Sequence, residues 1–140
     1  MPGGPKSGEE TIRLGAVVVT ERSWALLHPE VSVDPPKDIT TYVVRRGTVP
    51  AESALQGTAL LDAAAARAAR GVALQNEKKA TVAKVATDAG EAVELRWMTG
   101  SFRSATRLLL IPGGYCEATI LGASTDAEIG AYFASVQVRP

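Results

Sequence analysis

The sequence predicts an α+β fold: an antiparallel β-sheet meander with two helices packed on it. Three observations lead there. Residues 90–122 read as consecutive strands divided by glycine-bearing turns, residues 59–70 form an alanine-rich run, and apolar residues recur at helical spacing close to the C-terminus.

Taken in order, residues 1–10 form a Gly/Pro-rich stretch with little to bury, expected as a flexible tail ahead of a single domain over 11–140. Thr11–Thr20 (TIRLGAVVVT) is rich in β-branched residues and predicts the first strand, with Gly15 marking a bulge. Trp24–Leu27 is a short apolar piece that His28-Pro29 stops, because the residue before proline avoids the helical region; an edge strand is expected there. Val31–Lys37 (VSVDPPK) reads as a loop, and Ile39–Arg46 (ITTYVVRR) as a strand ending at Gly47.

Pro50 and Ser53 announce a helix. Ser53 with Gln56 fits a capping box, and Thr58 is the alternative cap because Gly57 weakens the first turn. ALLDAAAARAAR then places Leu61, Ala64, Ala65 and Ala68 on one face, with Asp62, Arg67 and Arg70 outside it. Gly71 is the expected stop, Val72–Lys79 a polar connector, and Ala80–Ala86 the strand that opens the meander.

Within the meander, Asp88-Ala89-Gly90, Thr99-Gly100-Ser101 and Pro112-Gly113-Gly114 are the expected reversals. In Glu91–Met98, Val93, Leu95 and Trp97 alternate with Glu94 and Arg96, the period of a strand with one wet face. The final hairpin is apolar on both faces. A three-residue loop over Pro112–Gly114 would set Ile111 against Tyr115, Leu109 against Glu117 and Arg107 against Thr119, with Leu108, Leu110, Cys116, Ala118 and Ile120 behind. Each side then needs cover. Thr125 with Glu128 makes a second capping box, followed by Ile129, Tyr132, Phe133 and Val136 along one helix face. The order is strands, helix, four strands, helix; a doubly wound sheet would alternate strand with helix, and no glycine-rich strand-to-helix turn offers a nucleotide site.

Composition narrows the function classes. Fifteen basic and fifteen acidic side chains cancel, and the pairs Arg45-Arg46, Lys78-Lys79 and Arg67 with Arg70 read as solvated faces, so neither nucleic acid nor a membrane surface is an expected partner. The single cysteine, Cys116, lies in an apolar strand as a small hydrophobe, and nothing sets it beside the single histidine, His28. No catalytic residue, metal or cofactor is expected. Glu21, His28, Glu30, Asp34 and Asp38 are the groups an acid–base cleft would need, and they read as solvated loop charges. The longest apolar runs, Ala16–Val19 and Leu108–Ile111, are too short to cross a bilayer, and no signal segment opens the chain. A cytoplasmic protein is expected, or a periplasmic or envelope-tethered one if a leader was removed.

The order of elements, the hairpin RLLLIPGGYCEATILG and the closing helix ending in YFASV resemble the PsbP-like superfamily from about Ile12 to Val138. YVVRR, the amphipathic helix and VELRW are similar to the DcrB-like group within it, which includes the Eag-type chaperones of type VI secretion. That resemblance implies a non-enzymatic accessory module that binds protein: a small adaptor or secretion chaperone holding an apolar segment of a partner, or alternatively the head domain of a cell-envelope lipoprotein. Leu109, Ile111 and Tyr115, on one face of the hairpin, are the expected partner-binding residues, with a homodimer as one form of cover.

Overall fold

The computed structural model describes residues 6–14, 17–28, 40–53, 55–75, 80–87, 90–99 and 101–135. The elements among them are β1 (Lys6–Leu14), β2 (Val17–His28), β3 (Thr40–Thr48), α1 (Gly57–Gln75), β4 (Thr81–Thr87), β5 (Gly90–Thr99), β6 (Phe102–Ile111), β7 (Gly114–Ala123) and α2 (Asp126–Ser135). The strands form one antiparallel sheet of seven, in the order β1-β2-β3-β7-β6-β5-β4. Two meanders, β1–β3 and β4–β7, meet where β3 pairs with β7, and α1 carries the chain from the middle of the sheet to its far edge. This is the α+β layout expected from the sequence.

The helices cover opposite faces. α1 lays Leu60, Leu61, Ala64 and Ala65 against Leu14, Val19, Val93, Leu95, Leu108 and Tyr115, a cluster that excludes water almost completely. Small alanines on this stripe let helix and sheet approach closely. α2 sets Ile129 and Phe133 on Ala105, Ala118, Ile120 and Ala123, with Tyr42 and Tyr132 at the margin. One side of the β6–β7 hairpin is therefore sheltered by α1, and on the other α2 shelters the half around Ala105, Ala118 and Ile120 while Leu109 and Ile111 near the turn stay half-buried. Thr125 caps α2 as its spacing predicts, its Oγ1 accepting the Glu128 N–H at 3.2 Å. Val136 lies outside the described residues.

Several boundaries move. Residues 6–10, grouped by composition with the tail, belong to β1, while residues 1–5, Gly15 and the 31–37 loop lie outside the described residues. The expected Thr11–Thr20 strand is divided between β1 and β2, which pair as Ile12↔Val19 and Leu14↔Val17. Trp24 lies in an interior strand instead of at an edge, because β2 runs on to His28 between β1 and β3. Ser53 caps a turn and not the helix: its Oγ accepts the Leu55 N–H at 3.0 Å, and Gln56 Nε2 donates to the Pro50 carbonyl at 3.0 Å. α1 starts at Gly57, whose φ of 59° suits glycine. It also passes through Gly71 to Gln75, since burial of Val72 offsets the roughly 1 kcal/mol that an interior helix glycine costs.

The hairpin register differs as well. Ile111 pairs with Gly114, so only Pro112 and Gly113 turn the chain, and Gly113 takes a φ of 80° as the third residue of a type II turn requires. Leu110 then faces Tyr115, Leu108 faces Glu117 and Leu109 faces Cys116. Against the three-residue loop, every side chain of β7 changes face relative to β6.

Candidate binding groove

The sheet is wider than α1. Beyond the C-terminal half of the helix, β3, β7, β6 and β5 continue uncovered and leave a groove of about 810 Å³. Its apolar lining comes from Val43, Trp97, Phe102, Ala68, Leu74 and Leu121, its polar floor from Arg45, Glu117, Thr106 and Thr119. Leu74, 87% exposed, and Leu121, 36% exposed, stand on opposite rims. A β-bulge shapes the Leu121 end: Leu121 and Gly122 of β7 stand opposite the single residue Ser104, Gly122 adopts a φ of 80°, and its N–H is satisfied by Ser104 Oγ at 3.2 Å.

A buried polar row runs beneath the groove. Glu21, only 2% exposed, accepts the Tyr115 hydroxyl at 2.6 Å and pairs with Arg67 of α1 at 3.3 Å, which ties the helix to the sheet through an otherwise apolar contact. Glu117 pairs with Arg45 of β3 at 3.0 Å. Thr106 and Thr119 exchange a hydrogen bond at 2.7 Å. Gly47 makes the row possible, since a Cβ there would overlap the Tyr115 ring.

Desolvation sets the titration of these groups. Burial lifts the Glu117 carboxyl above its usual range, although the charge and hydrogen bond of Arg45 oppose it. The Tyr115 phenol is raised by burial and by the bond to Glu21, so it stays protonated, and burial raises the Cys116 thiol. On the α2 face burial pushes Tyr132 up to about 12. All of these shifts favour the neutral form, opposite to what an activated nucleophile needs.

The second face of the sheet carries charge where the sequence suggested a water-facing row. Glu94, 6% exposed, is bound by Arg96 at 2.6 Å and Arg107 at 3.1 Å. Arg96 also reaches Asp126 at the start of α2, and Arg107 lies over the Phe133 ring at 4.6 Å from its centroid. Here α2 shuts out the water, and two guanidinium groups replace it.

The three residues expected to bind a partner are not brought together. Tyr115 is buried on the α1 face, bonded to Glu21, while Leu109 and Ile111 are half-buried on the opposite face; the two-residue turn separates them. Glu21 lies in strand β2 and in the core instead of in a solvated loop. Glu30, Asp34 and Asp38 fall outside the described residues, and His28 ends β2 with its side chain not described. Sequence reasoning missed Glu117, Arg45 and Arg67 as one constellation. The available signal was a charged residue inside each of two β-rich runs, YVVRR and YCEATI, at positions that pair across β3 and β7.

Among the described residues no three His, Cys, Asp or Glu side chains gather as a metal site, and no helix is long and apolar enough to cross a membrane. Comparison of the chain with known protein families, with curated proteins and with solved structures gives no match.

Proposed function

We propose that the protein is a non-enzymatic protein-binding module of PsbP-like layout, akin to the DcrB-like and Eag-type group, serving as a small adaptor or secretion chaperone that holds an apolar segment of a partner protein. The observation that carries this reading is the groove beside α1, whose rims present Leu74 and Leu121 to water and whose walls include Trp97 and Phe102. A groove of about 810 Å³ has room for several side chains of a helix or an extended segment, and the buried carboxylates beneath it are already paired with partly exposed arginines. They make a rigid floor and leave specificity to shape and apolar area.

Trp97 reports on the groove directly. In a Trp24→Phe background it is the only indole of the chain. Titration with a synthetic Leu/Ala helix flanked by lysines should shift Trp97 emission to the blue in a saturable way. Leu74→Glu with Leu121→Glu should abolish the shift and leave the melting temperature unchanged, because both side chains are already exposed. An unresponsive Trp97, or equal binding by the doubly substituted protein, refutes the proposal.

A further inference from the structure

The two edges of the sheet are protected unequally. β1 carries Glu9, Glu10 and Arg13, and Glu9 is paired with Arg22 at 2.8 Å, the charged dressing that keeps an edge from recruiting another strand. β4, TVAKVAT, carries one charge, Lys84. Among the described residues it pairs with β5 alone and no strand follows it in the sheet, and Thr81–Lys84 are exposed, Val82 by 54%. Directly beside this edge, along the flank of α1 away from the groove, lies a recess of about 390 Å³ whose apolar lining is Ala65, Ala66, Ala69, Val82 and Val93, with Lys84 on its strand side and the exposed Asp62 on its helix side. Val82, Lys84 and Ala86 share the α1-facing side of the strand, since they pair with Leu95, Val93 and Glu91.

We propose that this edge is a β-addition site for an extended segment of a partner protein whose residues on the α1 side read apolar, acidic, apolar. Over Thr81–Ala86 no described strand covers this edge, and an added strand would pair its row of backbone groups in place of water. The recess takes every second side chain of that strand, and its alanines leave room for larger partners. Lys84 selects the occupant. A second copy of the chain is disfavoured: TVAKVAT is nearly symmetric about its centre, so the antiparallel register that sets Val82 against Ala86 and Thr81 against Thr87 also sets Lys84 against Lys84. A foreign strand with a carboxylate at that position turns repulsion into attraction. The present neighbour of Lys84, Glu91 at 3.5 Å, does not hold it, since both side chains are more than half exposed, at 61% and 57%.

The test uses the intact protein and a labelled, end-capped heptapeptide, Thr-Val-Thr-Glu-Thr-Val-Thr, followed by fluorescence anisotropy. Saturable binding is expected. Exchanging the peptide glutamate for lysine should weaken it about tenfold, the size of converting an attractive cross-strand pair into a repulsive one. Lys84→Glu should reverse the preference between the two peptides. Ala66→Phe, at an exposed helix position, should fill the recess and weaken binding with no loss of melting temperature. Equal affinity for both peptides would overturn the proposal, as would self-association in sedimentation velocity that Val82→Lys abolishes, which would assign the edge to a second copy. The site is separate from the groove, so its failure leaves the Trp97 experiment unaffected.

Discussion

Adding a single methyl group at Gly47 tests the buried polar row at its tightest point. Gly47 sits in β3 opposite both Glu21 and Tyr115, and the Cβ of an alanine there would overlap Cε1 and Cζ of the Tyr115 ring and lie 2.7 Å from its hydroxyl oxygen. The ring is 2% exposed and packed in the core cluster under α1. Gly47→Ala must therefore displace Tyr115, and two costs follow: overpacking of about 1–3 kcal/mol, and loss of the hydroxyl bond to the buried Glu21 carboxylate, about 1.5–3 kcal/mol. A destabilisation of roughly 3–5 kcal/mol is expected, read from urea unfolding followed by circular dichroism. A double-mutant cycle isolates the cause. In a Tyr115→Leu background the ring and hydroxyl are gone, and Gly47→Ala should cost less than about 1 kcal/mol, because alanine is no worse than glycine in a strand. If Gly47→Ala costs the same in both backgrounds, or under about 0.5 kcal/mol in the wild type, the close packing of Gly47 on Tyr115 is not what holds the row together.

Two more outcomes follow from the same row. Thr106→Val alone strands the buried Thr119 hydroxyl and should cost about 1–3 kcal/mol, whereas Thr106→Val with Thr119→Val removes both partners and should cost clearly less, a non-additivity that a urea series would detect. Because burial holds the folded Glu117 carboxyl above its unfolded value, the folded chain binds more protons between the two values, and this group's contribution to stability falls as pH rises through that window. Glu117→Gln removes that slope, so its urea midpoint should gain on the wild type between acidic and neutral pH; the opposite trend would mean that Arg45, and not burial, governs the carboxyl.

Local chemistry left clear marks in the sequence. The alanine run of α1, the Thr125 cap of α2 and the glycine-marked turn at Pro112 are decided by residues close together in the chain, so reading the chain locally finds them. Pairing across the sheet is another matter. Pro112-Gly113-Gly114 suits a two-residue turn as readily as a three-residue one, and that single residue of register moved Tyr115 and Glu117 to the α1 face and parted Tyr115 from Leu109 and Ile111. β2 is likewise interior only because β1 pairs with its outer side.

Which chemical types the chain brings, the strand runs from β3 and β4 to β7 and the two helices able to cover them, is a matter of composition and period, and those are properties of neighbouring residues; the division of Thr11–Thr20 between β1 and β2 was not. Whether Glu21, Glu94 and Glu117 meet water or arginine depended on where the helices landed. Most of a carboxylate's surroundings come from side chains 13–94 positions away on other elements, Arg107 for Glu94, Arg67 and Tyr115 for Glu21 and Arg45 for Glu117, so its solvation emerges only once the sheet has closed around it.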